Sequence, residues 1–206
     1  MDDKPLKDWI LESIPETVME IVQTMLFVDV QPAHGVAKPA DVLHVPARAE
    51  ASAIVGLNGG LEGGVRVGCS THVALFLSSA LAGDSFSVLK GEAVDAFAEI
   101  GNMISGGIST RLSKRVGDIS LTPPSVIVGK DYEVDYTRLL ESVRFFFRAQ
   151  GEPFYIEVHY RNPKDLHKIN AIFEEGTLAR LDTWALKRKA SRDQAIIMLL
   201  DQYDKK

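Results

Sequence analysis

The chain has a single cysteine among its 206 residues, Cys69, so no internal disulfide can form. A reducing, cytoplasmic setting is the expectation. Cys69 lies in the strand-like run "VRVGCS" and reads as a buried structural thiol rather than a nucleophile. No apolar run approaches the about 18–20 residues of a membrane span. The opening "MDDKPLKDWI" is charged and lacks the apolar core of a signal peptide, so no membrane association is expected. The formal net charge is −5, which argues against a general polyanion binder. The five histidines are scattered, none at metal-ligand spacing, and no metal site is expected. The glycines of "GLNGGLEGG" match neither nucleotide-binding fingerprint, and no lysine follows in the phosphate-loop position. Turn chemistry accounts for them.

What remains is ordinary globular material. Hydrophobic residues make up 46% and charged residues 25%, enough for a real core. "LKDWILESIPETVMEIVQTML" reads as a helix interrupted or restarted near Pro15, and "FVDVQPA" as a strand. "ASAIVGLNGGLEGGVRVGCS" reads as a hairpin, and "STHVALFLSSALAG" as a helix with a Ser/Thr cap and a closing Gly83. A long helix follows, "KGEAVDAFAEIGNMISGGISTRLSKRV", and then three strands, "PPSVIVG", "SVRFFFRAQ" and "PFYIEVHYR", the last two folded about Gly151. Helices and antiparallel hairpins are segregated, which predicts an α+β fold. After Arg161 the character changes. Residues 162–206 read as a separate strand-helix-helix module, too small to bury a core alone.

The long helix contains too many poor helix formers. Gly101, Gly106 and Gly107 each cost about 0.5–1 kcal/mol relative to Ala, and Asn102 prefers caps and turns. On a wheel of about 100° per residue with Asp95 at zero, Glu99 falls near about 40°, Asn102 near about −20° and Gly106 near about 20°. Phe97, Ile100, Ile104 and Ile108 cluster on the opposite side. A carboxylate–carboxylate–amide stripe ending in glycine therefore faces outward. Gly106 would admit another backbone beside Asn102. A solvated helix face would need no function. The glycine content asks for either packing or a partner.

The pattern D-x-x-x-E-x-x-N, as Asp95, Glu99 and Asn102, resembles the signature of the CheC/CheX/FliY phosphatases of bacterial chemotaxis. "FAEIGNMISGGISTRLS", "ETVMEIVQTML", the glycine-rich hairpin and "PPSVIVGK" are similar to the CheX branch in particular, over roughly residues 5–161. Pro123 and Pro124 fall about where the family carries a proline. The resemblance implies an antiparallel sheet with long helices in a pseudo-duplicated arrangement. It also implies hydrolysis of the aspartyl-phosphate of a CheY-like receiver domain, in chemotaxis or other two-component signalling. In such an enzyme Asn102 would orient the water and Glu99 would pair with the receiver's lysine, with Asp95 and Gly106 in docking. The chain itself would need no cofactor, because Mg²⁺ would sit on the receiver. A homodimer is implied as well.

"ETVMEIVQTM" overlays "DAFAEIGNMI" and sets Glu16, Glu20 and Gln23 against Asp95, Glu99 and Asn102. Gln is one methylene longer than Asn and the glycines are missing, so this reads as a degenerate second copy. The tail resembles a ribbon-helix-helix motif. Lys168 and Asn170 would then face bases, and Ser191, in a capping box with Gln194, would hold a phosphate. Glu174 and Glu175, and nine basic against seven acidic residues from Asn162 onward, favour instead a module that docks or dimerises. Two readings compete with the phosphatase: a non-catalytic signalling interaction module, and a regulator that binds DNA through the tail.

Overall fold

The computed structural model describes residues 4–33, 49–132 and 141–161, together with Thr183, Leu186 and Lys187. The chain divides into two compact units, Met1–Pro163 and Lys164–Lys206. Of the second unit, Thr183, Leu186 and Lys187 are helical and exposed. Lys168, Asn170, Ser191 and Gln194, which carry the ribbon-helix-helix reading, lie outside the described residues.

The first unit opens with α1 (Leu6–Ile21), which runs on into a π-turn over Val22–Leu26. There is no break at Pro15, contrary to the sequence expectation. An interior proline removes one backbone bond and costs about 3 kcal/mol. The buried stripe Ile10, Ile14, Val18 and Ile21 holds the helix together across it. The Ser13 hydroxyl donates to the Ile10 carbonyl at 2.9 Å beside the proline. The helix ends on Phe27, which has φ 53° and donates its N–H to Val22. Phe27 is a helix stop and not, as its apolar neighbours suggest, the start of a strand. Only Val30–Pro32 form β1.

β2 (Ala49–Gly59) and β3 (Glu62–Cys69) make the expected hairpin. α2 (Thr71–Ala82) follows at once. Ser70 Oγ accepts from Val73 N, and Glu50 accepts from Thr71 N at 3.0 Å. Carboxylate and hydroxyl thus satisfy the free amides of the helix start. The hydrogen bonds from Thr71 hold the Glu50 carboxyl below its usual range. α3 (Glu92–Val116) leads to β4 (Ile119–Leu121), β5 (Ser125–Tyr132), β6 (Glu141–Ala149) and β7 (Glu152–Arg161). Gln150 and Gly151, both at positive φ, turn β6 into β7.

Among the described residues the strands form one antiparallel sheet ordered β1-β6-β7-β3-β2, with β4 and β5 both lying along β2. Alternate residues point to opposite faces. Ala51, Ala53 and Leu57 of β2, Val65 and Val67 of β3, and Phe154, Ile156 and Val158 of β7 share one core with the apolar stripes of the three helices. Cys69 belongs to that core, and burial pushes its thiol far above the ordinary range, so it is not poised for nucleophilic chemistry.

The other face of β3 and β7 carries charge. Arg66 and Glu157 are both almost completely buried. Glu157 pairs with Arg144, has Arg66 Nη1 at 3.8 Å and has His159 Nε2 at 3.0 Å. Arg66 Nε also donates to Ser52, which receives the Tyr132 hydroxyl at 2.8 Å. Burial alone would raise the Glu157 carboxyl. The hydrogen bond and charge of His159, with those of Arg144, hold it below the usual carboxylate range. A carboxyl depressed in the fold contributes stability above its unfolded pKa and loses it as pH falls through the folded value. Glu157→Gln should therefore cost about 3 kcal/mol at neutral pH, since it leaves two guanidinium groups short of their counter-charge. In urea titrations from pH 7 down to pH 3, the variant should show a flatter acid loss than wild type.

Candidate functional site

α3 is the helix that the sequence singles out. It starts after Gly91, at φ +53°, and stops at Gly117, whose N–H returns to the Ser113 carbonyl. Glu92 and Asp95 stand in the first turn, Lys114 and Arg115 in the last, each complementing the helix dipole. Phe97, Ile100, Ile104 and Ile108 are buried on the core side, as the wheel requires. Asp95 and Glu99 are exposed, and Asn102 and Gly106 are half-buried. The four positions form the outward stripe. Asn102 Nδ2 donates to Glu99 Oε2 at 3.3 Å, so amide and carboxylate act as one unit.

The glycines separate into two kinds. A Cβ on Gly101 would lie 2.8 Å from Ala53 Cβ on β2, and one on Gly107 would lie 2.4 Å from Thr17 Cγ2 on α1. These two are packing glycines, placed where α3 comes closest to the sheet and to its neighbouring helix. A Cβ on Gly106 would meet only Leu121 Cδ1, at 4.0 Å. Its glycine is not demanded by the fold. The helix-propensity argument therefore keeps its functional force at Gly106 alone.

β4 and β5 both pack against α3, with Leu121 of β4 beside Gly106. Between them Thr122, Pro123 and Pro124 interrupt the edge strand. Thr122 stays tied to β2: its N–H donates to the Gly56 carbonyl at 3.0 Å, and its hydroxyl accepts from Gly56 N at 2.9 Å. The prolines lack the N–H that a continued ladder would use.

The counterpart on α1 is differently employed. Arg111 of α3 reaches across to Glu20 at 2.6 Å and to Glu16 at 3.4 Å. Both carboxylates are thus engaged by a cation of the same chain. Gln23 is exposed and sits in the π-turn, outside the regular α-helix that carries Glu16 and Glu20. Arg111 was not legible as part of this arrangement. Its partners lie 91 and 95 residues away in sequence, and only the antiparallel packing of α1 on α3 brings them together. Among the described residues no group of His, Cys, Asp and Glu could hold a metal ion. No described helix is long and apolar enough to cross a membrane.

This antiparallel sheet with its helices on one face is a fold shared with solved CheX and CheC-like proteins. Two of the solved structures with this fold illustrate the match. The chemotaxis protein CheX from Desulfovibrio desulfuricans superposes with a TM-score of 0.65 at 23% identity, over 74% of this chain and 99% of that one. The CheX of the CheX–CheY–BeF3–Mg²⁺ complex from Borrelia burgdorferi gives 0.60 at 23% identity, over 74% and 98%. Residues 51–148 match the family model described as chemotaxis phosphatase CheX. The CheY-P phosphatase CheX of Thermotoga maritima is 27% identical over 133 residues, 64% of this chain and 81% of that protein. The chain is thus similar to CheX over residues 51–148 and shares the fold of the solved CheX structures.

The two kinds of glycine make opposite predictions for one substitution. Gly101→Ala should destabilise the protein by about 1–3 kcal/mol, because the clash with Ala53 outweighs the gain in helix propensity. Gly106→Ala should stabilise it by about 0.5–1 kcal/mol, since nothing opposes that gain. Thermal and urea unfolding of the two variants measures both.

Proposed function

We propose that the protein is a phosphatase that hydrolyses the aspartyl-phosphate of a CheY-like receiver domain. The observation that carries this reading is the Glu99–Asn102 pair. The two side chains sit one turn apart on the solvent side of a helix whose other faces are fixed by packing, and they are joined by a hydrogen bond. The family match and the name of the Thermotoga maritima relative support it, as does the receiver bound to the Borrelia burgdorferi relative.

An acyl phosphate is already activated, so the protein has little covalent work to do. The water oxygen forms a bond to phosphorus as the bond from phosphorus to the aspartyl oxygen breaks. The electron pair leaves with the regenerated carboxylate, and inorganic phosphate is released. Catalysis consists of holding the water in line. Asn102 is the water-orienting residue, because an amide both donates and accepts. Glu99 takes the receiver's lysine and sets the register of docking. Asp95 extends the acidic surface by one turn, and Gly106 leaves room for the partner beyond Asn102. The receiver brings its own Mg²⁺, which neutralises phosphoryl charge. The protein works as a cytoplasmic homodimer on this reading.

The α1 copy takes no part in the reaction. Glu16 and Glu20 already hold Arg111, and Gln23 sits in the π-turn beyond them.

The test is loss of phosphate from an acyl-phosphate-charged receiver of the same cell. Wild type should accelerate it, Asn102→Ala should lower kcat by about 100-fold, and Gln23→Ala should leave it unchanged. Equal turnover by wild type and Asn102→Ala would remove the central residue from the mechanism. Equal impairment by Gln23→Ala would restore the α1 copy to function.

A further inference from the structure

The hydrogen bond between Asn102 and Glu99 has a direction, and the direction decides which end of the amide meets the water. A carboxylate only accepts, so the Asn102 NH₂ must face Glu99. The carbonyl oxygen Oδ1 is then turned away from Glu99. Asp95 stands one turn before Glu99, and like charges at that spacing repel, which favours Glu99 leaning toward Asn102. Oε2 is committed to Asn102, while Oε1 has no hydrogen-bond partner among the described residues.

We propose that Glu99 is a positioning residue as well as a docking one: through Oε2 it fixes the Asn102 amide with Oδ1 toward the attacking water, while Oε1 receives the cation of the receiver. This rests on the phosphatase reading and adds a step to it. A water that donates a proton to Oδ1 keeps a lone pair free to point at phosphorus. A water held by the NH₂ end would give one of its two lone pairs to the amide proton and be the poorer nucleophile for it. One carboxylate therefore couples the arrival of the lysine to the orientation of the nucleophile. It also sets the amide in the free protein, before any receiver binds. Pre-organisation of this kind acts on kcat, whereas a contact used only for docking acts on KM.

Glu99→Ala separates the two roles. At saturating phosphorylated receiver, its kcat should fall by about 10- to 100-fold, in addition to any rise in KM. A variant that raises KM alone and turns over at the wild-type rate when saturated would overturn the proposal. A second measurement on the free full-length protein needs no turnover. The Asn102 side-chain amide is identified in a proton–nitrogen NMR spectrum by its loss in Asn102→Ala. In wild type its bonded proton should resonate downfield of a free amide, and Glu99→Ala should return it to the free position. An unshifted Asn102 amide in wild type would overturn the orientation, whatever the kinetics. If wild type dephosphorylates no receiver, the phosphatase reading fails, and the NMR signature still decides whether Glu99 orients the amide.

Discussion

The close approach of α3 to its surroundings is the constraint on which the rest of this structure depends. Ala53 on β2 and Gly101 on α3 meet where neither position has room for a larger side chain, and Gly107 meets Thr17 of α1 in the same way. Small residues at such crossings bring backbones together and fix the rotation of the helix about its axis. With Phe97, Ile100, Ile104 and Ile108 held in the core, the opposite edge of α3 has one possible exposure. The outward aim of Glu99 and Asn102 is thus a consequence of packing on the far side of the helix. A site that works by placing a water needs such a rigid mount more than it needs reactive groups.

The chain uses its charged residues in three different ways, and burial separates them. Glu99 and Asp95 stay in solvent, where a partner can meet them. Glu16 and Glu20 are half spent on Arg111 and tie α1 to α3. Glu157 is fully withdrawn among Arg66, Arg144 and His159 on the face of the sheet away from the core. The same residue type serves docking, clamping and internal cohesion according to what surrounds it. The α1 stretch illustrates the point. It resembles the α3 stretch in pattern, yet the two helices differ in whether a cation of the same chain has claimed the carboxylates.

Local patterns were legible wherever local physics decides. The period of the apolar residues on α3 predicted its buried and exposed faces, and Ser70 and Gly83 marked the ends of α2. The glycine-rich turn between β2 and β3 and the turn at Gly151 were equally readable. Pro15 misled, because a proline breaks an isolated helix but not one whose buried stripe continues on both sides of it. Phe27 misled in the opposite direction: an aromatic in a β-like run ends a helix in the left-handed conformation that usually falls to glycine. The functional weight placed on all three α3 glycines was too broad, since two of them answer to Ala53 and Thr17.

By itself the sequence determined the α+β class, the amphipathic phase of α3 and the spacing of Asp95, Glu99 and Asn102. Each of these follows from the geometry of a single element, and neighbouring residues carry all the information. The tertiary structure alone decided which glycines are crossings, that Arg111 occupies the α1 carboxylates, and that Arg66 and Glu157 are buried together. Those are contacts between residues far apart in the chain. Whether a carboxylate is free for a partner or engaged at home depends on what the fold brings within about 4 Å of it, and no local pattern encodes that distance.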